Sequence, residues 1–132
     1  MNYLLDTHAF IWALSEKSKL SQHVRLTLEN PANTIYASAV TFWEISLKFS
    51  IGKFNIDGIP PEALPELALQ LGFELLSLSA DEAANHHKLP LTSHKDPFDR
   101  MLIWQAISKK LIFISKDGRL DNYNFSGLKS LW

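Results

Sequence analysis

The chain contains no cysteine, so it has no disulfide framework and no thiolate to act as metal ligand or nucleophile. Any metal it binds must take oxygen or imidazole ligands. No apolar run approaches a membrane span, and the opening Met1-Asn-Tyr-Leu-Leu-Asp6 lacks the basic segment and apolar stretch of a signal peptide. The expectation is a cytoplasmic protein with no membrane contact. An excess of either charge is also missing: 13 Lys and Arg stand against 14 Asp and Glu, for a net charge of −1. No global field therefore draws nucleic acid, and a local basic rim would have to do so. With 5 Gly and 6 Pro there is no linker, repeat or low-complexity tract. Hydrophobic residues at 46% and charged residues at 20% fit an ordinary globular chain, expected to form a single domain over residues 1–132.

Short apolar strands alternate with helical patterns along the chain. Asn2 to Leu5 reads as a strand that stops at Asp6, and Phe10, Ile11, Ala13 and Leu14 follow at helical spacing. A second helix is predicted from about Ser21 to Glu29, and a β-prone run from Thr34 to Ala37. From about Thr41 to Ile51 apolar residues cover nearly the whole helical circumference, as in a helix buried in the core or in a subunit contact. Pro61 opens a helix to Leu71 that Gly72 closes, and Phe73 to Leu78 is the next strand. Ser79-Ala-Asp-Glu82 is a capping box for a short helix ending before Leu89-Pro90. Asp96 caps a helix that Pro97 opens and that reaches Lys109 and Lys110. Leu111 to Ser115 is a continuous apolar strand, and the mixed stretch from Asn122 to Trp132 leaves room for a last edge strand. Strands alternating with helices imply parallel β-α-β units in a three-layer α/β/α sandwich with a central, mainly parallel sheet. Its ligand site is expected beyond the carboxyl ends of the strands.

Four acids are candidates for that edge. Asp6 and Asp117 each follow an apolar strand, while Glu44 and Asp99 fall in the first turns of helices whose N-termini gather at the same edge. Asp99 continues the stripe of Leu102, Ile103, Ala106 and Ile107, so its carboxylate points inward, where an unpaired charge is costly. Four converging carboxylates repel one another unless a divalent cation neutralises them, and oxygen ligands favour Mg2+ or Mn2+ over zinc. Such a pocket suits phosphodiester hydrolysis without a covalent nucleophile. Each acid also has a plainer role open to it: a helix cap for Asp6, the far end of a capping box with Thr41 for Glu44, a dipole-favoured first-turn acid for Asp99, and a turn before Gly118 for Asp117. Their coincidence at one edge favours the shared site.

His8, His86, His87 and His94 are not spaced as a metal site and are expected at the surface or in packing. Thr7 and Ser115 adjoin the acids and are placed to orient carboxylates or water. Lys48, Lys53, Lys95, Arg100, Lys116 and Arg119 fall near the same edge, as solvated charge or as contacts to a phosphate backbone. Trp12, Trp43 and Trp104 are expected on helices, in core or protein contacts rather than stacked on bases.

Leu-Leu-Asp6-Thr-His, Ser38-Ala-Val-Thr-Phe-Trp-Glu44-Ile, His94-Lys-Asp-Pro-Phe-Asp99-Arg and Ile114-Ser-Lys-Asp117 resemble, in order and spacing, the PIN-domain ribonucleases, especially VapC-type toxins of toxin–antitoxin pairs. The resemblance covers essentially the whole chain, and its most specific segment is His-x-Asp-Pro-Phe-Asp-Arg. It implies a PIN fold, an endoribonuclease dependent on Mg2+ or Mn2+, a homodimer, and inhibition by a cognate antitoxin. It assigns Asp6, Glu44, Asp99 and Asp117 to the catalytic, metal-binding quartet, with Asp96 left as the helix cap behind them. It also suggests an apolar antitoxin segment along the helices near the amino terminus, with Phe10, Trp12, Trp43 and Phe49 as anchors. A small residue is expected where Trp104 stands. Two other readings compete: a PIN-like module that binds RNA or protein without cutting, and a Mg2+-binding receiver domain. The receiver would leave Glu44 and Asp99 without a task.

Overall fold

The computed structural model describes residues 1–132. Five parallel strands, β1 (Asn2–Leu5), β2 (Thr34–Ser38), β3 (Glu74–Leu76), β4 (Ile112–Ile114) and β5 (Lys129–Leu131), form one sheet in the order β3-β2-β1-β4-β5. The central strand β1 pairs Tyr3 with Ile35 on one side and with Ile112 on the other. Strand alternation sends Tyr3, Leu5, Ile35 and Ile114 to one face and Leu4 and Phe113 to the other, each face with its own buried cluster. This two-sided burial explains why β1 and β4 read as continuous apolar runs.

The helices are α1 (Thr7–Ser15), α2 (Gln22–Glu29), α3 (Ala39–Ser50), α4 (Leu64–Gln70), α5 (Ala80–Asn85) and α6 (Pro97–Lys109). On the first face Phe10 of α1, Val24 of α2 and Leu64 of α4 close the core; on the second, Leu102, Ile103 and Ala106 of α6 do so. The expected α/β sandwich is therefore what forms. No helix is long and apolar enough to cross a membrane.

Local sequence sets the boundaries. Ser38 accepts from the Val40 amide at 3.0 Å and starts α3 two residues ahead of the expected Thr41. Ser79 and Glu82 make the reciprocal capping box. Gly72 takes φ +85° just past α4, a conformation that side chains resist. Lys110 ends α6 in the same left-handed region at φ +57°. The strand expected over Phe73 to Leu78 shortens to Glu74–Leu76: at its start the Phe73 amide is spent on the Ala68 carbonyl at the end of α4, and past its end the Ser77 carbonyl accepts from Gln105. The mixed stretch near the end resolves into a 3-10 helix (Leu120–Ser126) and the edge strand β5.

Buried polar groups tie the layers together. The Ser38 hydroxyl donates to Gln105 Oε1 at 2.5 Å, and Gln105 Nε2 donates to the Ser77 carbonyl at 3.1 Å, so α6 is fastened to β2 and to the segment after β3. Trp104, where a small residue was expected, packs on the second core and donates its indole N–H to the Glu82 carbonyl at 3.0 Å. It is thus a brace between α5 and α6.

The apolar surface of α3 is divided: Val40 and Ile45 are core, but Trp43 and Ile51 are 61% and 60% exposed, and Leu47 and Phe49 are exposed as well, so the core accounts for only part of it.

Candidate metal centre

Asp6 stands where β1 becomes α1. Its amide donates to the Ile114 carbonyl at 3.0 Å, and its Oδ1 accepts from the Ala9 amide at 2.7 Å, so the residue is both ladder end and helix cap. Burial pushes its carboxyl up to about 6, and the charge of Asp99 adds to the rise; the Ser115 hydroxyl and the Ala9 amide oppose it.

Asp99 lies in the first turn of α6. The cap beneath it is Asp96, whose Oδ1 accepts from the Phe98 and Asp99 amides at 2.9 and 3.1 Å. Burial, then the neighbouring Asp96 and Glu44 charges, raise the Asp99 carboxyl above its ordinary value, while His94 works in the opposite sense.

Asp117 follows β4. Its amide donates to Ser115 Oγ at 3.1 Å, and its carboxylate takes a two-point contact from Arg119, at 3.1 Å from Nε and 2.9 Å from Nη2. That guanidinium holds Asp117 below the usual carboxylate range.

The structure therefore brings Asp6, Asp99 and Asp117 to one open cleft of about 380 Å3 at the carboxyl edge of the sheet. His8, Trp12, Lys116 and Arg119 complete its lining. Glu44 is not on that lining. It is 2% exposed behind the cleft, where it accepts from Thr7 Oγ1 at 2.6 Å and pairs with Lys48 Nζ at 2.5 Å. Thr41, its possible capping-box partner, instead meets the Thr7 hydroxyl at 3.2 Å inside the same buried knot. Glu44 is close enough for its charge to act on Asp99.

Glu44, expected in the first turn of its helix, lies in the second turn of α3, because Ser38 starts that helix early. Three further sequence assignments need correction. Arg100 is buried, and its guanidinium is consumed by the Pro90 and Leu89 carbonyls and the Tyr123 hydroxyl, so it is neither surface charge nor a phosphate contact. Phe10 is fully buried in the first core and cannot anchor a partner. His94 is 1% exposed and does more than pack: its Nε2 lies 3.3 Å from Asp99 Oδ2 and 3.6 Å from Asp117 Oδ2. His8 and His87 are exposed and His86 is half-buried, as expected of them. The ligand atoms of His94, Asp99 and Asp117 lie within 4.8 Å of one another. The overlooked signal for His94 was its place just ahead of the Asp96 cap, which turns its ring toward the same helix mouth as Asp99.

The donor set fits a hard divalent cation. Buried Asp6 and half-buried Asp99, both with raised proton affinity, and Asp117 beside them, matched by one exposed guanidinium, are what an added positive charge would relieve.

Among solved structures, the fold is similar to a chain of VapBC2 from Rickettsia felis bound to a DNA fragment from their promoter, with TM-score 0.68, 16% identity and coverage of 99% of this chain and 98% of that one. It is also similar to a chain of DNA-bound VapBC from Salmonella typhimurium, with TM-score 0.63, 17% identity and coverage of 99% and 97%. A structure of FitAB bound to an IR36 DNA fragment gives TM-score 0.62, 17% identity and coverage of 99% and 94%. No curated protein matches the sequence significantly. The sequence itself matches the PIN domain family over residues 3–126. A parallel sheet with acids gathered beyond its strand ends, and a family match across almost all of its length, make this chain a member of the PIN domain family.

Proposed function

We propose that residues 1–132 act as one PIN-domain unit, a metal-dependent endoribonuclease of the VapC type: the cytoplasmic toxin of a toxin–antitoxin pair, restrained by a cognate antitoxin and assembled as a homodimer. The observation that carries this reading is the single cleft in which Asp6, Asp99 and Asp117 face one another beside Lys116 and Arg119. Capping accounts for Asp6 and an ion pair for Asp117, whereas a shared cation accounts for all three acids at once.

Asp6, Asp99 and Asp117 would hold Mg2+ or Mn2+, with Glu44 behind them adding negative charge. When bound, the ion supplies charge neutralisation at the scissile phosphate and a more acidic water. The chain's own residues do the rest. Lys116 and Arg119, both exposed at the rim, meet the backbone phosphates of RNA and hold the scissile one over the acids. A carboxylate of this group not fully engaged with the ion would accept the proton of the attacking water. Thr7 and Lys48 fix Glu44 so that it cannot swing into the cleft.

The complexes formed by the similar VapBC and FitAB structures support an antitoxin partner. The exposed Trp43 and Phe49 of α3 remain available as anchors, and Trp12 is half-buried at the cleft.

The test is cleavage of a mixed cellular RNA pool by purified protein with Mg2+, Mn2+ or chelator, beside Asp6→Asn and Asp99→Asn. Metal-dependent cutting lost in both variants is the expected result. Absence of cutting by a wild-type protein that still binds Mn2+ would replace this reading with the non-cutting module.

A further inference from the structure

His94 is held as tightly as any core residue. Its amide donates to Thr92 Oγ1 at 3.0 Å, and its ring stands edge-on to Tyr123 at 6.1 Å between centroids. Tyr123 is itself fully buried, with its hydroxyl contacted by Thr92 and Arg100. The imidazole therefore cannot turn away from the acids.

Its two nitrogens have opposite surroundings. Nε2 faces Asp99 Oδ2 at 3.3 Å and Asp117 Oδ2 at 3.6 Å, whereas Nδ1 is buried with no hydrogen-bond partner. A proton on Nδ1 would be a buried N–H without an acceptor, and would leave the Nε2 lone pair pointing at two carboxylate oxygens. A proton on Nε2 alone removes both problems.

Resting on the nuclease reading of the cleft, we infer that His94 is a positioning residue: its ring is fixed so that an Nε2–H holds Asp99 by a hydrogen bond and keeps Asp117 close by attraction. Asp99 is carried by α6 and Asp117 by the segment after β4, so this one N–H sets the spacing of acids from two different elements. Substrate and reacting atoms are not touched by the ring.

Two measurements decide it. In metal-free protein, histidine 15N NMR, with His94 assigned by its loss in His94→Gln, is expected to show Nε2 protonated; a bare Nε2 overturns the inference. This readout stands even if the wild type cuts no RNA, a result that would remove the nuclease reading instead. In the cleavage assay His94→Gln, whose amide reaches about as far as Nε2, should keep kcat near wild type. His94→Asn, whose amide falls short, should lower kcat about 10–100-fold with little change in KM. An equal loss in both variants, with metal-free melting curves like the wild type, overturns the donor role. So does imidazole 14N coupling in the EPR spectrum of Mn2+ bound to the wild type, which would make the ring a ligand.

Discussion

Asp6 is under two opposed demands, as the cap of a helix and as a charge kept out of water. Folded Asp6 binds its proton more tightly than an unfolded aspartate does, because its carboxyl rises from 3.8 to about 6. The burden of its charge is therefore absent below about pH 4, grows through the interval up to 6 and is complete above it; over that interval it amounts to about 3 kcal/mol. Asparagine caps a helix as well as aspartate. Asp6→Asn should thus abolish cleavage yet raise stability at pH 7 by up to about 3 kcal/mol, with most of the gain gone at pH 4. Urea unfolding of both proteins in chelator at the two pH values checks this, and equal stability at pH 7 would refute it. Mg2+ should stabilise the wild type more than the variant. Asp6, Asp99 and Asp117 were legible in the sequence because each sits at the end of a strand or the mouth of a helix. His94 was not, since its role depends on a ring clamped by Tyr123, a residue distant in the chain. Phe10 misled for a related reason: an aromatic on an apolar helix does not reveal whether it meets the sheet or a partner.

The helices carry the site through their ends. Removing the cap of α6 by Asp96→Ala should cost about 1 kcal/mol and loosen Asp99, seen as a lower melting temperature together with weaker Mn2+ binding. At the other end of α6, Lys110 is exposed and left-handed without glycine's freedom. Lys110→Gly should stabilise by about 1 kcal/mol and leave cleavage unchanged, as read from the urea midpoint. On α3, Lys48 is the only cation paired with the buried Glu44. Lys48→Met should destabilise by about 3 kcal/mol in chelator, and saturating Mg2+ should restore part of the loss. The helices themselves could be read from Ser79 with Glu82 and from Asp96 with Pro97, because capping is a matter of adjacent residues. The shortening of β3 could not, since it depends on which carbonyl the Phe73 amide meets.

Across the whole molecule, two cores on the faces of one parallel sheet leave α3 with Trp43, Leu47, Phe49 and Ile51 in water. A surface of this kind marks an association face. Trp43→Glu combined with Ile51→Glu should leave the far-ultraviolet circular dichroism of the fold unchanged and abolish the proposed dimer in sedimentation equilibrium. A wild type that stays monomeric at every concentration would exclude α3 as a self-association face. The sandwich and its parallel sense were legible from the alternation of strands and helices. The apolar girth of α3 was legible too, but a sequence does not say whether such a surface is covered by its own chain or by another.

The pairing of β1 with β4 also sets an order of events. The innermost strand pairs through Tyr3 with Ile112, far along the chain from it. Closing so long a loop is slow, and it precedes any meeting of Asp6 with Asp117. A growing chain that holds Asp6 but not β4 has only part of the acidic cleft. The candidate cleft is therefore completed only by the docking of β4 beside β1.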